Sequence, residues 1–149
     1  MRSVGDISAV TTIGEAAFIG CETLEDLSLP AGLTSIGAYA FSDCKRLAEA
    51  VVPVGVSVIP AYAFEGCSLL VSVKLMSGEL TSIGEYAFGN CGALRSVVIE
   101  KTSGVVAFDA KNPFSNSPNV SIYVPSDLLD NYKSNTSDAS VKDKLVAIR

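Results

Sequence analysis

A solenoid of stacked coils, each carrying one short parallel β-strand, is the fold class this sequence predicts, on three observations. Phe18, Phe41, Phe64 and Phe88 recur at intervals of 23, 23 and 24 residues. A phrase travels with each of them: Ile, usually Gly, two residues, Ala-Phe, two residues, Cys, two residues, Leu, then an alternating apolar run often closed by Pro. The 149 residues are also 48% hydrophobic and only 18% charged, which argues for an ordered chain with a continuous apolar spine.

A period in the low twenties with a Leu-x-x-Leu-x-Leu core places the chain in the leucine-rich repeat class, in which each coil is one unit stacked on the next. In the run Leu24, Leu27, Leu29 the alternation is that of a half-buried strand, and the later copies keep it. Strands are therefore predicted at residues 24–29, 47–52, 70–75 and 94–99. In register they form a parallel sheet with coils roughly 4.8 Å apart. A shorter extended piece around Ile36, Ile59 and Ile83 lines the opposite wall, because Leu33-Thr34-Ser35-Ile36 is β-prone and bounded by Gly32 and Gly37. Between the walls, Ala-Phe-x-x-Cys suits a turn of helix or 3-10 structure with Phe and Cys facing inward. Gly32, Gly55 and Gly78 mark turns where a positive φ is expected.

Cys21, Cys44, Cys67 and Cys91 share one phase and so form a ladder. Cα spacing alone admits Cys21–Cys44 and Cys67–Cys91 disulfides, but equal-phase side chains point the same way, which favours free buried thiols as small apolar fillers. With no Cys-x-x-Cys pair and no His, no metal site and no cofactor are predicted. Tyr39, Tyr62 and Tyr86 make a second column two residues before each Phe. Its rings could shield the coil surface or stack against sugar faces.

The array frays at both ends. Val4 aligns with Leu27, but partners for Leu24 and Leu29 are missing, as though a repeat had been cut into; the chain is expected to be an excised module. In the fifth coil Phe114 takes the Phe position, Ser117 stands for Cys, Val120 for Leu, and Ile122 and Val124 make the last predicted strand. Residues 1–125 are thus assigned to the array and 126–149 to a helical C-terminal cap. Ser126 is its expected N-cap, Leu128, Leu129 and Tyr132 form one helical stripe, and Val141, Leu145 and Ile148 suggest a second amphipathic helix. Asn119-Val120-Ser121 and Asn135-Thr136-Ser137 fit glycosylation sequons, a pattern common by chance.

A net charge of −5 disfavours nucleic acid, which needs clustered Lys and Arg, and anionic membrane surfaces likewise. No apolar run is long enough to span a bilayer, and no secretory signal stands at the start. The lack of His removes Ser-His-Asp and Cys-His chemistry. The neighbours Asp26 and Glu49 remain as a conceivable acid and base pair, but a shallow solvated surface gives no means of splitting their pKa values, so no catalytic residue is assigned.

If the strand leucines point inward, the intervening positions face solvent as three columns. They are Glu25, Ala48, Val71, Arg95; Asp26, Glu49, Ser72, Ser96; and Ser28, Val51, Lys74, Val98. Acids come first, Lys74 and Arg95 later, with apolar residues among them. This is the predicted protein-binding strip: Glu25, Asp26, Ala48, Glu49, Val51, Val71, Lys74, Arg95 and Val98. The competing reading is that β-propensity alone selects such Val and Ala.

The phrase Ile36-Gly37-Ala38-Tyr39-Ala40-Phe41-Ser42-Asp43-Cys44-Lys45-Arg46-Leu47 resembles the BspA-like leucine-rich repeats, and the resemblance covers residues 10–125. It implies a bacterial surface protein acting noncatalytically in adhesion, through a protein partner of host, matrix or cell envelope, with an extracellular or cell-surface location. Glycan binding through Tyr39, Tyr62 and Tyr86, or a spacer role, are the alternatives. The motif contains no catalytic residue to carry over.

Overall fold

A computed structural model describes residues 6–25, 27–76, 78–101 and 103–148. The strands in chain order are β1 (Thr12–Ile13), β2 (Ser35–Ile36), β3 (Glu49–Val52), β4 (Val58–Ile59), β5 (Ser72–Leu75), β6 (Ser82–Ile83), β7 (Ser96–Ile99), β8 (Ala107–Phe108) and β9 (Ser121–Val124). Those of four residues, β3, β5, β7 and β9, lie side by side in parallel, with β10 (Leu145–Ala147) added after β9. The two-residue strands build the opposite wall, and every strand pairing recorded is parallel.

The long strands start two residues later than the sequence predicts. Leu47, Leu70 and Leu94 lie in the turn before the strand, because the N–H of each donates to the carbonyl of Cys44, Cys67 or Cys91 at 3.0–3.1 Å. They remain fully buried. In the first coil the strand reduces to one bridge, Ser28 to Val51, and Val4 and Asp26 lie outside the described residues.

The second wall is split into β1-β2 and β4-β6-β8. Gly37 N–H donates to Ile13 O and Gly84 N–H to Ile59 O, both at 2.8 Å. The residue at that phase in the third coil is Pro60, which has no N–H to give to Ile36. At Gly37 and Gly84 glycine is required for a separate reason: a Cβ on Gly37 would sit 2.4 Å from Glu15 N, and one on Gly84 2.7 Å from Ala61 N.

The Ala-Phe-x-x-Cys stretches are successive i to i+3 turns rather than helix. Left-handed residues interrupt them, two in each of the first four coils and one in the fifth. One set is Ala16, Tyr39, Tyr62 and Tyr86, at φ of 50 to 59°; the other is Gly20, Asp43, Gly66, Asn90 and Asn116, at 55 to 74°. Gly32, Gly55 and Gly78 are not among the positive-φ residues, so the expected left-handed turns lie elsewhere. A Tyr in this region costs on the order of 1 kcal/mol. The cost is offset because the kinked chain aims backbone N–H groups at the next coil: Phe18 at Ala40 O, Phe41 at Ala63 O and Phe64 at Ala87 O, each 2.8 Å.

The core is a set of rows. Phe41, Phe64, Phe88 and Phe114 are buried and, with half-buried Phe18, stack at centroid distances of 5.2–5.7 Å. Offset stacks of this kind add about 0.5–1.5 kcal/mol per pair beyond area burial. The fifth coil keeps the rows as the sequence predicts, with Phe114 under Phe88 and Val120 buried.

The tail is helical only in part. A 3-10 turn (Ser126–Leu128), α1 (Leu129–Asn135) and α2 (Ala139–Lys142) precede β10, which pairs parallel with β9. The predicted second helix through Leu145 and Ile148 is therefore one turn of helix followed by a strand. Asp143 N–H closes α2 onto Ala139 O at 3.0 Å, and from there Ile122 N–H donates to Lys144 O and Ile148 N–H to Val124 O, both at 2.8 Å. The open edge of β9 offers backbone partners that a helix would leave unmatched. Ser126 makes no capping bond; the cap that forms is Asp138, whose carboxylate accepts from Ser140 N–H at 2.8 Å at the start of α2. Tyr132 is fully buried, tilted against Phe108, and its hydroxyl accepts from Val106 N–H at 3.2 Å.

Candidate functional site

The predicted columns exist on the outer face of the long sheet. Glu49, Ser72, Ser96 and Ser121 are register partners, and so are Val51, Lys74, Val98 and Tyr123. Between them, Ala50, Val73, Val97 and Ile122 point into the core. Val71 N–H donates to Ala48 O and Arg95 N–H to Val71 O, which aligns the third column. Val51 and Val71 are 44% and 46% exposed, whereas Val98 is half-buried. Asp26 lies outside the described residues.

The charge gradient expected along the strip is weaker than the residue types imply. Glu25 is paired with Arg46 at 2.5 Å and Lys74 with Glu100 at 3.4 Å. Both are partly solvated pairs, a type that contributes at most about 1 kcal/mol, and they neutralise two of the charges meant to orient a partner. Arg95 and Glu49 remain exposed.

Sequence reasoning missed residues that extend the strip. Tyr123 continues the Val51 column, and its phase in Ser121-Ile122-Tyr123-Val124 was readable. Val146 follows as the partner of Tyr123, hidden because its segment reads as helix. At the other end Met76 and Val54, 38% and 56% exposed, border a groove of about 680 Å³ that begins at Glu25 and Glu49 and ends at Leu29, Val54 and Met76. The signal was the replacement of Pro, present at residues 30 and 53, by Met76 in the third coil.

The tyrosine column is a continuous stack of rings. Tyr39 and Tyr62 stack at 4.8 Å and 5°, Tyr62 and Tyr86 at 5.4 Å and 15°. The ring faces between coils thus lie against each other, leaving outward faces only on the end rings.

The cysteines do more than fill space. Cys44, Cys67 and Cys91 Sγ donate to the carbonyls of Phe18, Phe41 and Phe64, each at 3.2 Å, and Ser117 Oγ donates to Phe88 O at 2.7 Å in the same rung. All four are free thiols, Cys21 half-buried and the others buried. Burial pushes the Cys44 thiol up to about 11 and the Cys91 thiol to about 12, and raises that of Cys67 further. Such thiols are poor nucleophiles and poor metal ligands. Among the described residues no three His, Cys, Asp or Glu side chains converge as a metal cluster. No helix among them is long and apolar enough to cross a membrane.

Comparison with known proteins agrees with this geometry. A family described as "BspA type Leucine rich repeat region" matches residues 5–121 in six copies. Among solved structures, a leucine-rich repeat protein from Bacteroides ovatus is 27% identical with a TM-score of 0.59, over 78% of this chain and 35% of that one. The T. pallidum leucine-rich repeat protein TpLRR is 26% identical with a TM-score of 0.71, over 93% and 62%. The pneumococcal vaccine antigen PcpA, 19% identical with a TM-score of 0.73 over 100% and 42%, shares the fold. The chain thus spans less than two thirds of each of these proteins. No curated protein matches it.

Proposed function

The chain belongs to the BspA type leucine-rich repeat family, whose repeats build protein-interaction or structural modules, and from that premise we propose that it is a noncatalytic adhesion module of a bacterial cell-surface protein. Its partner is a protein of host, matrix or cell envelope, and the contact is the outer face of the long sheet. The observation that carries this reading is the in-register column Val51, Lys74, Val98, Tyr123, Val146. An apolar centre flanked by polar positions is the composition of a contact surface, and a solenoid holds it rigid, so little ordering entropy opposes binding.

The test is affinity for immobilised matrix and envelope proteins, compared between the parent chain and the variants Val51→Ala, Val71→Ala and Lys74→Ala. A loss of about tenfold or more at the two valines supports the reading, since each tenfold is about 1.4 kcal/mol. Unchanged affinity for an identified partner across all three refutes it.

A further inference from the structure

The groove at the first three coils has a polarity of its own. Its lining among the described residues includes Leu29, Val51, Val54 and Met76 on one side and end, the carboxylates of Glu25 and Glu49 at the other, and no Lys or Arg. The two carboxylates are not equivalent. Arg46 already pairs with Glu25, while Glu49 is exposed and no ion pair among the described residues reaches it. Because Glu49 opens β3 and Val54 lies two residues past its end, the acidic and aliphatic ends are separated by roughly five residues of extended chain, about 17 Å.

We infer that this groove takes a short aliphatic segment of another protein carrying a lysine or arginine at one end, with the cation on Glu49 and the aliphatic side chains running toward Val54 and Met76. The inference rests on the sheet-face reading and adds to it the chemistry of the partner. The physical ground is the cost of covering Glu49. A wholly apolar segment would strip water from an unpaired carboxylate, and an acidic one would set like charges together; a cation meets the carboxylate and releases the apolar remainder to bury Val54 and Met76. At about 680 Å³ the groove falls within the roughly 300–1,000 Å³ of ordinary ligand sites.

The experiment uses the whole chain and three fluorescent hexapeptides: one lysine followed by leucines and valines, the same with glutamate for lysine, and an all-serine control. Fluorescence anisotropy is expected to show the lysine peptide binding at least about tenfold more tightly than the glutamate peptide, a difference of about 1.4 kcal/mol. In Glu49→Gln that preference shrinks to within about threefold, and Met76→Ser with Val54→Ser weakens both apolar peptides. Lys133→Ala, an exposed position of α1 outside the strip, leaves binding unchanged. Equal binding of the lysine and glutamate peptides, or a preference untouched by Glu49→Gln, overturns the inference. Loss on Arg95→Ala but not on Glu49→Gln overturns the groove while leaving the sheet face standing. Self-association that disappears in Val54→Ser, without peptide binding, makes the occupant a second copy and overturns it also. Native amide spectra of each variant exclude loss of fold as the cause.

Discussion

The thiol of Cys67 donates a hydrogen bond to the carbonyl of Phe41, one coil back, at 3.2 Å. The same bond recurs at Cys44 and Cys91, so each sulfur ties its coil to the backbone of the one before it.

This makes the choice of replacement diagnostic. If Cys67 only filled space, Ala would be tolerated at least as well as Ser. As a donor, Cys67→Ser keeps the bond, as Ser117 does to Phe88 O, and stays within about 1 kcal/mol of the parent. Cys67→Ala loses both the bond and volume and costs about 1–2 kcal/mol more than Ser, measured by chemical denaturation.

Burial and raised pKa values also set reactivity. At pH 8 a thiol reagent should modify the half-buried Cys21 first in the native protein, with Cys44, Cys67 and Cys91 protected until denaturant is added. Rapid native labelling of three or more thiols would contradict the ladder.

The same shifts predict an alkaline limit. These thiols ionise at higher pH folded than unfolded, so the unfolded state loses its protons first. Their contribution is complete below about pH 9, the unfolded value, and is lost as pH rises toward 11 for Cys44 and 12 for Cys91. The denaturation midpoint should fall across that window, and more shallowly when Cys44, Cys67 and Cys91 are all changed to Ser, which does not titrate there.

Two glycine substitutions separate backbone contact from mere flexibility. Gly37→Ala drives a methyl into Glu15 N and should cost about 3 kcal/mol, because backbone cannot rotate away. Gly32→Ala, with nothing within 4 Å and no positive φ, should be neutral or stabilise by up to about 1 kcal/mol. Thermal denaturation of the pair reads the contrast.

Tyr132→Phe tests how the tail is fixed. It removes the buried acceptor of Val106 N–H and should cost about 1–3 kcal/mol, with amide exchange increased at Val106. An unchanged exchange rate would mean that the tail does not close the array at this point.

Much of the fold was legible because the period is enforced by packing. A phenylalanine every 23 or 24 residues has only one way to be buried repeatedly, and the sequence located Phe114 and Ser117 in their rungs despite the altered fifth coil. The outward columns followed from strand alternation. What sequence could not supply at the candidate site was pairing: Arg46 beside Glu25 and Glu100 beside Lys74 depend on side chains meeting between coils. The groove was equally hidden, since it is made by residues 25 to 76 that no local pattern links.

The sequence by itself determined the stacked coils, the rows of Phe and Cys and the outward face, because each is written in a spacing that only one repeating geometry satisfies. The tertiary structure alone decided that Tyr39, Tyr62 and Tyr86 take left-handed backbone, that Pro60 breaks the second wall, and that Leu145–Ala147 becomes a strand. In each case the deciding term is a partner on an adjacent coil. A neighbouring ring and carbonyl offset backbone strain, a missing N–H interrupts a ladder, and an open sheet edge outweighs helical spacing; none of these is a property of the local residues.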